Sequence, residues 1–228
     1  MKRTTTPHIS WQDCIQLDPA LNKTPSYKAR IVADLVMWEE TNSGQKMLAA
    51  LKEAQSRIPQ QHRWPQVETA LALEDLKYMD EADNEMREIS ARHSDPHKVF
   101  LYIGAEKKEN FTVYDRSVDV GHYDEVSHTV SVNPAIIETL TVPKWVGGKK
   151  QPGHESFIEL LQHETRHAVD ALNSKFGPPE LKRLYEDASC AETRGVEAER
   201  ALQAELGLNQ RYAYFDPKQE LEALYAKG

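Results

Sequence analysis

Ser156–Leu172 reads SFIELLQHETRHAVDAL. Inside it lies His163-Glu164-Thr165-Arg166-His167, two histidines four residues apart with a glutamate after the first. Residues four apart share one face of a helix, so both imidazoles can reach one cation. Zinc accepts imidazole nitrogen and, in a catalytic site, keeps one position for water. A carboxylate directly after the first histidine is placed to take a proton from that water as it attacks a carbonyl. Stepped at about 100° per residue, Phe157, Ile158, Leu161, Ala168, Val169 and Leu172 gather on the side away from the histidines. The spacing predicts a helix over roughly 154–174 with one oily face for a core and one chemical face for a cleft. Chance would place such a motif in a chain of this size on the order of once in a hundred.

Catalytic zinc usually has three protein ligands, so one is still to be found. A second helix is expected over roughly 179–206, with Pro178-Pro179 at its start and Gly207 just past its end. Its apolar stripe runs through Leu181, Leu184, Ala188, Ala191, Gly195, Leu202 and Leu206, and Glu192 and Glu199 share that side. A carboxylate aimed into an apolar face is costly unless it is paired or bound to metal. Either can be the third ligand, with the other orienting a ligand, and a salt bridge to an internal arginine is the plain alternative for each. Gly195, between them, would let the helix approach a neighbour closely. Asp170, one turn past His167, is a candidate acceptor for the second N–H of a ligand imidazole. His93 and His97 are also four apart, but Pro96 spoils a helical pair. His122, His128 and His154 read as non-ligands.

Outward from these helices, Val99–Ile103 (VFLYI), Phe111–Tyr114 (FTVY) and His128–Val132 (HTVSV) read as a small sheet. A polar loop with Gly147-Gly148 and Pro152-Gly153 follows. Upstream, residues 27–57 read as helix in two pieces, with Ile31, Leu35 and Trp38 on one stripe and Met47, Leu48 and Leu51 on the next, broken at Asn42-Ser43-Gly44. Residues 66–91 suit a helix with an acidic exposed side. Residues 1–26, with Pro7, Pro19 and Pro25, read as an irregular, flexible export or targeting segment ahead of one domain over 27–228. The expected class is α+β.

The 228 residues carry a net charge of -8 at pH 7, which argues against nucleic acid and anionic membrane as partners. No apolar run approaches the ~20 residues of a membrane span, and the polar start MKRTTTPHIS is not a Sec signal peptide. Cys14 and Cys190 form no C-x-x-C and read as free thiols. The mean hydropathy of -0.66 predicts a polar section somewhere in the chain.

Three stretches resemble a known family. These are ADLVMWEETNSGQKML at 33–48, SVNP at 131–134 followed by LLQHETRHA at 160–168, and ERALQAELGLNQRYAY at 199–214. They are similar to the type III secretion effector metallopeptidases typified by the non-LEE-encoded effector D of enteropathogenic bacteria, and more distantly to clostridial neurotoxin light chains. The resemblance implies a zincin-like fold, with a small sheet above the motif helix and a second helix completing the site. It implies His163 and His167 as Zn2+ ligands, Glu164 as general base, and Ala191-Glu192-Thr193-Arg194-Gly195 as a degenerate copy of an E-x-R motif that favours Glu192 as third ligand over Glu199. It also implies that Arg211 and Tyr214 steady the oxyanion, for which a guanidinium and a phenol are suitable donors. The expected function is a zinc endopeptidase, secreted by a specialised system into the host cytoplasm, acting as a monomer on host signalling proteins such as kinases. The alternative is a zinc-stabilised protein that grips a host partner without cutting it, using the acidic face of 66–91.

Overall fold

Pro25 opens the first long helix of the chain, where its fixed φ and missing N–H cost nothing. The structure, a computed structural model, describes residues 7–64, 92–103, 121–125, 127–132, 137, 141–185 and 190–211. A short α1 (Trp11–Cys14) precedes α2 (Pro25–Glu40) and α3 (Asn42–Gln55). Ile31, Leu35 and Trp38 of α2 and Leu48 and Leu51 of α3 are fully buried, as their spacing predicts. The expected break is a corner. Thr41 accepts from the Gly44 N–H at 2.8 Å and starts α3 at Asn42.

The main sheet has the order β1-β2-β4-β3, from β1 (Ile15–Leu17), β2 (Val99–Ile103), β3 (Gly121–Asp124) and β4 (Thr129–Val132). β1, β2 and β4 run parallel, and β3 closes one edge antiparallel to β4. Every residue of β2 is buried, which is why it reads as an unbroken apolar run rather than an alternation. The strand expected at 111–114 and the helix expected over 66–91 lie outside the described residues.

Two expectations change here. The described part of 1–26 is not irregular: α1, β1 and a 3-10 turn (Pro19–Lys23) occupy it, and Trp11, Cys14, Ile15 and Leu21 enter the core. Elements of three to five residues are too short to show a period. The packed domain therefore begins well before residue 27. Likewise, the polar loop is a hairpin of β5 (Thr141–Val146) and β6 (Lys149–His154), turned at Gly147 and Gly148 with φ of 57° and 76°. Positive φ at both central residues matches a twisted two-residue turn. β6 exposes almost every side chain, so its sequence carries no apolar alternation.

Three helices follow. α4 (Phe157–Phe176) carries the paired histidines and packs on β3, β4 and α3. Ser156 N–H donates to Glu159 Oε2 at 2.7 Å, satisfying one donor at its start. The single helix expected over 179–206 is instead α5 (Pro179–Tyr185) and α6 (Ala191–Leu206), and Leu184, placed on the buried stripe by the sequence reading, is 59% exposed. Glu205 of α6 accepts from Asn42 N at 2.6 Å and Ser43 N at 2.8 Å, an anion on the N-terminus of α3. The architecture is mixed α+β. No described helix is long and apolar enough to cross a membrane.

Candidate metal centre

The apolar residues picked out on the α4 wheel, Phe157, Ile158, Leu161, Ala168, Val169 and Leu172, are all buried, and they turn His163, Glu164 and His167 toward α6. Gly195 of α6 passes so near that a Cβ built on it would lie 2.6 Å from His163 Cε1. Only a residue without a side chain allows that approach. It brings Glu192 Oε2 to 3.1 Å from His163 Nε2 and Glu192 Oε1 to 3.5 Å from His167 Nε2. One ligand atom from each of the three lies within 4.8 Å of the other two. A tetrahedral ion with bonds of about 2.0–2.1 Å sets its ligand atoms roughly 3.3 Å apart, so two imidazoles and a carboxylate at these separations fit zinc in spacing and in donor type. Burial opposes a charge on His163, but hydrogen bonds to Glu192 and Glu199 outweigh it and push the imidazole up to about 10. Burial also acts on Glu192, yet the same pairing with His163 and His167 holds its carboxyl well below the usual range. Glu164 is buried, which raises its carboxyl above the usual range against the pull of His163, His167 and His122.

Behind His163 lies a buried polar chain. Glu199, fully buried, places Oε1 at 2.5 Å from His163 Nδ1, and Arg211 Nη1 donates to the same oxygen at 2.8 Å. Glu155 Oε1 accepts from the same Nη1 at 3.4 Å. Its carboxyl is pushed up to about 8, first by burial and then by the charge of Glu199, with Arg211 opposing. Gln203 accepts from the Arg211 N–H at 2.8 Å and donates to Glu159 at 2.7 Å, and Glu159 pairs with buried Lys144 of β5 at 2.6 Å. Arg211 is set in place by pairing alongside β5, where Trp145 N–H donates to Gln210 O at 2.7 Å. A carboxylate on the far nitrogen of a ligand imidazole fixes its tautomer and ring orientation.

The sequence model of the M91 peptidases, described as effector protein, matches residues 19–214. The chain belongs to this effector peptidase family. No curated protein and no solved structure matches it. The match takes in every residue of the centre, and it opens at residue 19, inside the segment that the sequence reading set apart from the domain.

In this effector peptidase the two candidate glutamates stand on different sides of His163. Glu192 faces the Nε2 atoms of both histidines, and Glu199 stands on the Nδ1 side of His163. Asp170 departs from expectation: its carboxylate pairs with Arg166 at 2.8 Å and Arg194 at 2.5 Å rather than with a ligand imidazole. The i, i+4 spacing to Arg166 was visible in the chain, but Arg194 comes from another helix. Arg211 is 6% exposed at its side chain and lies on Glu199 and Glu155. Tyr214 lies outside the described residues. Glu155, Glu159, Lys144 and Gln203 were not singled out in the sequence. They come from one strand, two helices and the link before the motif helix, with no common spacing, and Lys144 in particular reads as a solvent lysine until Glu159 is seen against it. Among the described residues, His122, His154 and His97 join no group of three metal-ligating side chains, and His93 is bound up with backbone carbonyls of Ser127 and Lys98.

Proposed function

We propose that this effector peptidase is a zinc-dependent endopeptidase of the zincin type that cuts specific host proteins. The observation that carries the reading is the meeting of His163, His167 and Glu192 from two helices, with buried Glu164 beside them. His163, His167 and Glu192 would hold the ion. When bound, zinc supplies a Lewis acid that polarises the scissile carbonyl and makes water a nucleophile at neutral pH. Glu164 takes the proton of the attacking water and passes it to the leaving amine, a task that suits a carboxyl whose burial has raised its pKa. Glu199 holds His163 by Nδ1, and Arg211 neutralises Glu199 from behind. Tyr214, three residues beyond, offers a phenol to the developing oxyanion together with Arg211.

Membership in an effector family supports export into a host and a protein substrate. Host signalling kinases are the substrate class carried by the resemblance, and we propose that the protein acts on them as a monomer in the host cytoplasm.

Metal content by plasma mass spectrometry, on native protein and His163→Ala purified without chelators, tests the centre. About one zinc per chain, lost in the variant, is expected. Co-expression with candidate host kinases then tests the chemistry, with Glu164→Gln as the matched variant. Cleavage by the native chain and none by Glu164→Gln, at equal zinc content, is the expected result. Zinc binding with no cleavage by either would leave a metal-stabilised binding protein.

A further inference from the structure

His163 and His167 ride on one helix, so their separation is fixed by α4 alone. The third donor, Glu192, comes from α6, so its distance from them depends on how the two helices dock. Its side chain is 40% exposed and it lies in the first turn of α6.

Two residues further along α6, Arg194 ties that turn to α4. Its Nε lies 2.5 Å from Asp170 Oδ2, and the pair is largely enclosed, with side-chain exposures of 16% and 6%. Asp170 Oδ1 lies 2.8 Å from Arg166 Nε on its own helix, an ion pair without hydrogen-bond geometry. Tyr185 of α5 sits by both guanidinium groups, 5.6 Å from Arg166 and 5.1 Å from Arg194, and its hydroxyl accepts from Arg166 Nη2 at 3.4 Å. Among the described residues, the one hydrogen bond to the carboxylate is therefore the one that crosses between the helices, from Arg194. Arg194 lies next to Gly195, whose approach to His163 leaves no slack between the helices. An enclosed, charge-assisted contact at that point keeps the first turns of α6 from sliding or lifting.

We propose that Asp170 and Arg194 are positioning residues of the metal centre: their ion pair latches α6 to α4 and sets Glu192 within bonding reach of an ion held by His163 and His167. The latch rests on the reading of those three residues as zinc ligands. It acts through Glu192 and touches neither metal nor substrate.

Zinc affinity by competition with a chromogenic chelator tests it, with thermal melting of the metal-free protein measured on the same samples. Arg194→Ala and Asp170→Asn should each weaken zinc binding by about 10–100-fold, the range typical of groups that orient metal ligands. The double variant should fall no further than the weaker single one, because both remove the same contact. Arg194→Lys, which keeps a cation in reach of Asp170, should recover most of the loss. If Arg194→Ala does not fold, Asp170→Asn and Arg194→Lys carry the comparison. Native zinc affinity in Arg194→Ala and Asp170→Asn, while Glu192→Gln loses it, would overturn the latch, as would losses that simply multiply in the double variant. A fall in melting temperature with zinc affinity unchanged would also overturn it, leaving an ordinary structural pair. Native affinity in Glu192→Gln would instead sink the three-ligand reading beneath it.

Discussion

Gly195→Ala puts one methyl group into the contact on which the centre depends. The new carbon would lie 2.6 Å from Cε1, 2.7 Å from Nε2 and 2.9 Å from Nδ1 of His163. Carbon atoms rest at about 3.5–4.0 Å, so something must yield by about 1 Å. The imidazole is a poor candidate, being buried and held at Nδ1 by Glu199 at 2.5 Å. The relief must come from α6, and lifting α6 carries Glu192 and Glu199 away from His163 together. Overpacking of this kind costs about 1–3 kcal/mol, and alanine returns about 1 kcal/mol through its higher helix propensity. The net loss is up to about 2 kcal/mol, a fall of several degrees in melting temperature for a chain of this size. Zinc affinity should drop by about tenfold or more, since 1.4 kcal/mol of misplaced ligand already gives that factor. Thermal melting of the metal-free protein and chelator competition read the two effects separately. A Gly195→Ala protein that melts at or above the native temperature and holds zinc as tightly would refute the helix contact, and with it the account of how Glu192 reaches the histidines.

Two further outcomes follow from buried charge. Lys144 and Glu159 are both nearly fully enclosed, at 4% and 3% side-chain exposure, and Lys144→Met strands the carboxylate. The loss should be about 3–5 kcal/mol in urea unfolding; a loss under about 1 kcal/mol would mean that Gln203 and the Ser156 N–H suffice to hold Glu159. His128 sits fully buried at φ 56°, stacked 4.5 Å from Trp64, with Nδ1 2.8 Å from the Tyr123 hydroxyl. Burial holds its imidazole well below the ordinary value of 6.5, with His93, Lys175 and His62 adding to the effect. A depressed histidine contributes stability that is complete above its unfolded pKa and is lost as pH falls below about 6.5 toward the folded value. His128→Asn, which tolerates the left-handed backbone, should shift the midpoint of acid unfolding to lower pH. An unchanged midpoint would show that carboxylate protonation alone governs acid unfolding.

The amino-acid sequence alone specifies the motif helix, the two-piece helix before it and two strands of the sheet. In each case a period or an unbroken apolar run ties the residues together within one element, as with Ile31, Leu35 and Trp38 or Val99–Ile103. It also determined His163, Glu164 and His167 as a chemical face, since helix geometry alone relates them. What it left open were relations between elements. Glu192 and Glu199 lie on one side of one helix, and no wheel says which of the two meets Nε2 and which meets Nδ1. That depends on the depth at which Gly195 lets α6 settle onto α4. Asp170 looked like a partner for histidine because its sequence neighbours are histidines, but Arg194 of α6 arrives closer and carries a full charge. Lys144, Glu155, Glu159 and Gln203 became a buried network only when the hairpin and the backbone at Gln210 and Arg211 were brought together beside α4 and α6. Local spacing fixes which side chains share a face. Only tertiary packing decides which face each meets, because burial, and the pairing that burial demands of a charge, are properties of two surfaces in contact.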